Sequence, residues 1–391
     1  MIPYGKQNIS GDDIEAVVEV LKSDFLTQGP VVPLFEKKVK EYVGVPYAYA
    51  VSSATAGLHI ACLSLGVGPG DLVWTSPISF VASANCALYC GAQIDFVDID
   101  PISYNMSVPS LETKLALAEK SGKLPKVVIP VHLAGQSCDM LEIRRLSEKY
   151  GFRVIEDASH AIGGEFKSSK IGSCEYSDIT VFSFHPVKII TTGEGGMVTT
   201  KDANLAEKLY RLRSHGITRD PKEMTTQPDG SWYYQQIELG YNYRLTDIQA
   251  ALGYSQMNRL DIFVNKRHEI FQKYSELLSD IDIVKPCLNE EGKSSLHLYI
   301  IRLRQNNKLK ISRNELFERL RLGGVFVNIH YIPIYRQPFF SQFHFNWDDF
   351  PESEKYYSES ITLPMYPDLT YSDLEYIKKC LITPIGHQTL F

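Results

Sequence analysis

Short apolar runs alternate with segments of helical spacing through the first two thirds of this chain, and that alternation admits few folds. Tyr47–Val51 reads as a strand, and Thr55–Leu65 reads as a helix with Leu58, Ala61, Cys62 and Leu65 at helical spacing. Leu72–Thr75 and Ile94–Val97 read as strands, with a helix near Phe80–Tyr89 between them. Val127–Val131 is a continuous apolar run, the pattern of a strand covered on both faces. Met140–Tyr150 is a helix stopped by Gly151, Arg153–Glu156 and Thr180–Phe184 are strands, and Asn204–Ser214 is a helix. The alternation predicts crossover units: an α/β fold with a mostly parallel sheet and helices on both sides. In such sheets, function gathers at the carboxyl ends of the strands.

The remainder departs from this rhythm. Residues 217–244 carry the turn signal Pro228-Asp229-Gly230 between flanks rich in Tyr and Gln, which predicts a protruding hairpin or long loop. Residues 246–278 predict a long helical connection. Beyond about residue 280 the pattern is α+β: His297–Leu303 and Val325–His330 as strands, and Ser312-Arg313-Asn314-Glu315 as a capping box opening a helix. With 391 residues, two domains are expected. The boundaries are 1–245 for a large domain, 246–278 for the connection and 279–391 for a small C-terminal domain.

The bulk numbers exclude several classes. Net charge is −6 without a basic run, which argues against a nucleic-acid surface. The chain has 7 cysteines, an odd number, and no CxxC pair, as in a reduced compartment. Cys86 and Cys90 are read as a reduced core pair. The start lacks an apolar signal core and no apolar stretch is long enough to span a membrane, so a cytoplasmic chain is expected. No metal site is expected.

The chemistry concentrates at two strand ends. Asp157 follows one strand in Val154-Ile155-Glu156-Asp157-Ala158-Ser159-His160. Lys188 follows another in Phe182-Ser183-Phe184-His185-Pro186-Val187-Lys188, ahead of Gly193-Glu194-Gly195-Gly196. Such glycines let the backbone approach something closely. An acid to hold a pyridinium nitrogen and a lysine to form a Schiff base are what pyridoxal phosphate asks of a protein. Taken singly, Lys188 is a solvated strand end, Asp157 a loop carboxylate and His160 a packed histidine. Together they read as a site. Ser52-Ser53-Ala54-Thr55-Ala56-Gly57 joins a strand to a helix and offers a phosphate cradle. Ser183 would add a hydroxyl there. Phe80 reads either as a ring stacked on the cofactor or as core packing. Gly66-Val67-Gly68-Pro69-Gly70 follows a helix instead of opening one and reads as a turn.

With these segments the chain resembles the DegT/DnrJ/EryC1/StrS family of nucleotide-sugar aminotransferases over nearly its whole length. Arg213-Ser214-His215-Gly216 and Gly240-Tyr241-Asn242-Tyr243-Arg244 add to the match. The resemblance implies the aspartate-aminotransferase-like fold (PLP fold type I), pyridoxal 5'-phosphate (PLP/PMP) as cofactor, and homodimers with composite active sites. By position, it implies that Lys188 anchors the cofactor and that Asp157 faces the ring nitrogen and His160 the ring hydroxyl. Ala54, Thr55 and Ser183 would hold the phosphate, helped by Asn242 of a second copy. Tyr4, Leu26, Thr27, Gln28, Gly29, His185, Asn328, Ile329, His330 and Tyr331 would line the sugar-nucleotide site. Leu26–Gly29, Thr75–Ala82 and His330–Tyr335 further resemble the branch that serves pseudaminic acid synthesis. That branch implies transfer from L-glutamate to C4 of a UDP-linked 4-keto amino sugar, UDP-2-acetamido-2,6-dideoxy-β-L-arabino-hexos-4-ulose. The alternatives are another keto nucleotide sugar aminated at C4 or C3, such as the D-xylo epimer, a sugar dehydratase on the same fold, or a non-catalytic homologue. The dehydratases of the family carry histidine in place of the lysine, so Lys188 argues against that reading.

Overall fold

The computed structural model describes residues 1–383. Residues 384–391, the end of the expected C-terminal domain, lie outside them. The large sheet has 7 strands in the order Tyr47–Val51, Gly196–Thr200, Ile179–Ser183, Arg153–Asp157, Val127–Ile129, Leu72–Thr75, Gln93–Phe96. Every pairing is parallel except those of Gly196–Thr200, which runs antiparallel to both neighbours. The expected α/β architecture with a mostly parallel sheet is what the chain adopts.

Alternate residues of each strand enter different cores, as a pleated strand covered on both faces requires. Val73, Val127, Ile129, Ile155, Val181 and Val198 pack on one side with Leu58, Cys86 and Leu209 from three helices. Trp74, Val128 and Val154 point to the other side, against Leu115 and Ile143. On that side too, Ala50, Phe182 and Met197 meet Phe35, Ala250 and Leu260. The helices begin and end where local chemistry dictates. Ser53 caps Ala54–Ser64, Asp139 caps Met140–Tyr150, and Gly151 closes the latter in the left-handed conformation (φ 79°).

Several elements differ from the expectations. Gly196–Thr200, to which the sequence pattern assigned no element, is a strand inside the sheet. The connection over 246–278 is two helices, Asp247–Met257 and Leu260–Leu277, broken at Asn258–Arg259. The 217–244 segment is a hairpin whose ladder is only Ile217–Thr218 against Gln235–Gln236, with Trp232 and Leu239 exposed. The expected strand Val325–His330 is corrected: it makes isolated pairings only, Ile2 with Val325 and Asn328 with Thr362. The ladder position beside Tyr299–Arg302 is taken by Ser360–Leu363, which the sequence pattern did not show.

That strand pair and the helices Arg313–Leu322, Pro351–Glu359 and Tyr371–Ile382 make the smaller C-terminal α+β part. The Ser312–Glu315 capping box is formed as expected. Its core includes Ile2 from the start of the chain. Ile2 is stitched there by backbone bonds to Gly324 O and from Phe326 N, each 2.8 Å. Among the described residues, no helix is long and apolar enough to cross a membrane.

Candidate active site

The carboxyl ends of four strands open into one cavity of about 640 Å³. Val51 leads into Ser52, Ser53, Ala54 and Thr55; Leu72–Thr75 leads to Ser79 and Phe80; Arg153–Asp157 ends on Asp157 itself; and Ile179–Ser183 leads to Ser183, His185 and Lys188. The rest of the wall includes Tyr4, Glu194, His297, Asn328, His330 and Tyr331.

Asp157 is buried and tightly held. Ser83 Oγ donates to Oδ2 at 2.6 Å, and Ser159 donates to Oδ1 from its amide (3.1 Å) and its hydroxyl (2.6 Å). Lys188 lies in the loop after Ile179–Ser183, its amide donating to His185 O at 2.9 Å. What surface it exposes faces the cavity. Removal from water pulls its amine down to about 8, against the opposing pull of the Asp157 charge. An amine poised there is neutral often enough near neutral pH to act as a nucleophile and base.

Three histidines surround this amine, and all are held neutral. Burial, then the nearby Lys188 and His330, push His160 well below the ordinary histidine range. His297 is lowered in the same way, by burial first and then by His160 and Lys188. Burial and then Lys188 bring His330 down to about 3. The Ala134 amide donates to His160 Nδ1 (3.3 Å), so the network assigns the proton to Nε2, 3.1 Å from the Tyr331 hydroxyl. His330 Nδ1 pairs with Thr362 Oγ1 at 2.9 Å.

In the same cavity wall, Ser53 caps its helix by accepting from Ala56 N at 3.1 Å. Helix geometry leaves the amides ahead of that bond, at Ala54 and Thr55, without intrahelical partners and at the positive end of the dipole. Phosphate is the ligand such a terminus suits. Gly196 lets the neighbouring strand lie against this helix start: a Cβ there would stand 2.8 Å from both Ala54 N and Phe182 O. The close approach foreseen for the glycine cluster is therefore, at this position, strand against helix start.

Of the residues singled out in the sequence, Tyr4, Ala54, Thr55, Phe80, Asp157, His160, Ser183, His185, Lys188, Asn328, His330 and Tyr331 share this cavity. Phe80 is 59% exposed, which decides against core packing. Leu26, Thr27, Gln28, Gly29, Ile329 and Asn242 are not brought into the cavity of their own chain. Gly29 N donates to Asp247 Oδ2 at 2.7 Å, and Thr27 pairs with Thr246, which binds the Leu26–Gly29 segment to the start of Asp247–Met257. Asn242 is exposed and pairs through its backbone with Ser214. Ser79, Ser83, Ser159, Glu194 and His297 were not foreseen. Ser159, Glu194 and Ser79 lie inside segments already singled out, the Asp157 motif, the glycine cluster and Thr75–Ala82, while Ser83 and His297 carried no such signal.

The residues present fit pyridoxal phosphate: an ionisable acid, a buried amine and a helix terminus in one cavity. The DegT/DnrJ/EryC1/StrS aminotransferase family model matches residues 7–382. A Campylobacter jejuni UDP-4-amino-4,6-dideoxy-N-acetyl-β-L-altrosamine transaminase is 37% identical, over 98% of this chain and 97% of that protein. The Helicobacter pylori aminotransferase PseC, involved in the biosynthesis of pseudoaminic acid, superposes with a TM-score of 0.88 at 31% identity, covering 97% and 98% of the two chains. The PMP form of a putative sugar aminotransferase from Streptococcus pneumoniae gives a TM-score of 0.87 at 29% identity, covering 98% of each chain. The same protein is also known in a PLP form. The chain thus belongs to the DegT/DnrJ/EryC1/StrS aminotransferase family and is a transaminase that uses pyridoxal phosphate.

Proposed function

We propose that this enzyme transfers the amino group of L-glutamate to C4 of UDP-2-acetamido-2,6-dideoxy-β-L-arabino-hexos-4-ulose, on the route to pseudaminic acid. The observation that carries the reading is the wall formed by Tyr4, Asn328, His330 and Tyr331 in the same cavity as Lys188 and Asp157. These side chains offer polar groups that could hydrogen-bond a sugar ring and its N-acetyl group. The likeness to the Campylobacter jejuni and Helicobacter pylori enzymes supports the same choice.

Bound pyridoxal phosphate supplies an electron sink for the pair left when a Cα–H bond breaks. The other parts belong to the chain. Lys188 Nζ is the amine that anchors the cofactor, and the base that takes the donor's Cα proton and gives it back. Asp157 would accept from the ring nitrogen. Ala54, Thr55 and Ser183 would hold the phosphate, Phe80 would cover the ring, and the His160–Tyr331 pair would receive the ring hydroxyl. Among the described residues lining the cavity, Lys188 is the only lysine and there is no arginine. The carboxylates of glutamate and the diphosphate of the nucleotide need more positive charge and more donors than one chain brings. This supports a homodimer in which Asn242 and the Leu26–Gly29 segment serve the neighbouring site.

Competing the L-arabino ketone against its D-xylo epimer at equal concentration, with products read by NMR, tests the substrate. Preference for the L-arabino ketone is expected. Preference for the D-xylo epimer overturns the substrate and leaves the transaminase standing.

A further inference from the structure

A hydroxyl has one proton to give, and this fixes the direction of a chain of bonds behind Asp157. An ionised carboxylate only accepts. Ser83 Oγ, 2.6 Å from Asp157 Oδ2, therefore commits its proton to the carboxylate. The contact between Ser79 Oγ and Ser83 Oγ, at 2.7 Å, then has one consistent polarity: Ser79 donates and Ser83 accepts. Both serines are buried. On the other oxygen, Oδ1 takes two donors, the amide and hydroxyl of Ser159. A carboxylate offers roughly four acceptor positions, two on each oxygen. This chain fills both on Oδ1 and one on Oδ2. A single position on Oδ2 remains, on a residue that lines the cavity.

We propose that Ser83, with Ser79 behind it, is a positioning residue of the transamination: it fixes the rotation of the Asp157 carboxylate and leaves one acceptor site for the ring N–H of the cofactor. The proposal rests on the reading that Asp157 faces the ring nitrogen. Hydrogen bonds donated to a carboxylate favour its charged form. Held in that orientation, the carboxylate would accept from a protonated ring nitrogen, the state the electron sink needs. Bonds in series polarise one another, so Ser79 strengthens the donation without touching Asp157.

The test compares Ser83→Ala, Ser79→Ala, the double variant and Asp157→Asn. Three quantities are read: the pH titration of the visible band of the cofactor-loaded protein, the dissociation constant of the cofactor from apo-protein, and the glutamate half-reaction. Ser83→Ala is expected to slow the half-reaction roughly tenfold to hundredfold, about 1.4 to 2.7 kcal/mol. The KM for glutamate should stay within about twofold, because the donor binds as before. The titration midpoint of the band should move up, since a ring with less positive charge opposes protonation of its neighbouring nitrogen less. Ser79→Ala should move the same quantities in the same direction by less, and it carries the test if Ser83→Ala does not fold. The double variant should match Ser83→Ala alone, because Ser79 acts only through Ser83. A Ser83→Ala protein with wild-type band titration and half-reaction, whatever its melting temperature, overturns the proposal, as do effects of the two serines that simply add. If Asp157→Asn shifts the band and Ser83→Ala does not, this proposal alone fails. If Asp157→Asn also titrates as wild type, the placement of Asp157 against the ring nitrogen fails with it.

Discussion

Gly196, on the one antiparallel strand of the large sheet, lies directly against the backbone of Ala54 at the start of the phosphate-cradling helix. A Cβ at Gly196 would meet Ala54 N, Phe182 O and Ser53 C, all within 2.9 Å and all backbone. Backbone atoms cannot swing aside. Gly196→Ala is therefore expected to cost about 1–3 kcal/mol, the usual range for overpacking, and to weaken cofactor retention by shifting the Ala54 and Thr55 amides. Thermal unfolding of the apo-protein and the cofactor dissociation constant would show both effects. Gly193 is the contrast: nothing lies within 4 Å of its Cβ position, but its φ of +82° makes alanine strained there. Gly193→Ala should lower stability and leave cofactor affinity near wild type. Equal loss of affinity in the two variants would detach Gly196 from the cradle.

The amine of Lys188 gives a pH prediction with a definite sign. Its folded-state value is lowered to about 8. Only the neutral amine attacks an aldehyde. Cofactor uptake by apo-protein should thus rise about tenfold per pH unit below that value and level off above it. A knee near 10, where an ordinary lysine titrates, would remove the argument from burial. Lys188→Ala should abolish both turnover and the visible band while the protein stays folded.

Asp157→Asn keeps the shape of the side chain and removes its charge. The glutamate half-reaction is expected to slow by the equivalent of about 3–5 kcal/mol, the cost of breaking a buried charge pair. Single-turnover mixing measures it. A rate within about threefold of wild type, ~0.65 kcal/mol, would show that the carboxylate does not face the ring.

Asn242 is exposed on its own chain, so its proposed role needs a second copy. Subunits carrying Lys188→Ala mixed with subunits carrying a disabling Asn242 substitution should recover activity, since a hybrid dimer holds one site with both residues intact. Verified subunit exchange with no recovered turnover would argue for self-contained sites.

Asp157 and Lys188 were legible because the first ends an apolar strand and the second follows one within five residues, ahead of a glycine cluster. Ser83 was not, because its importance depends on a contact with Asp157 across 74 positions that only the packing of Ala82–Tyr89 on the sheet creates. His297 reaches the cavity from the C-terminal part, on a segment fixed by the donation of Arg267 Nη1 to its carbonyl at 3.1 Å. Nothing near residue 297 announces that placement. Gly196–Thr200 gives little local signal, because only five residues, opening on glycine, make the strand. Val325–His330 misled because its apolar residues Val325, Val327 and Ile329 alternate as in a strand, while the neighbouring ladder position already belonged to Ser360–Leu363.

The stitch between Ile2 and Val325 sets a schedule for biosynthesis. At translation speeds of roughly 5–20 residues per second, the first residues to leave the ribosome wait on the order of half a minute for the segment that receives them. Through that interval Ile2 has no core to enter, and Tyr4 cannot yet stand beside His330 in the cavity wall. The wall of the site is complete only after the ribosome has passed that far point, and so is the core beneath the sheet, which takes Ile334, Tyr335, Phe340 and Phe350 from the same late stretch.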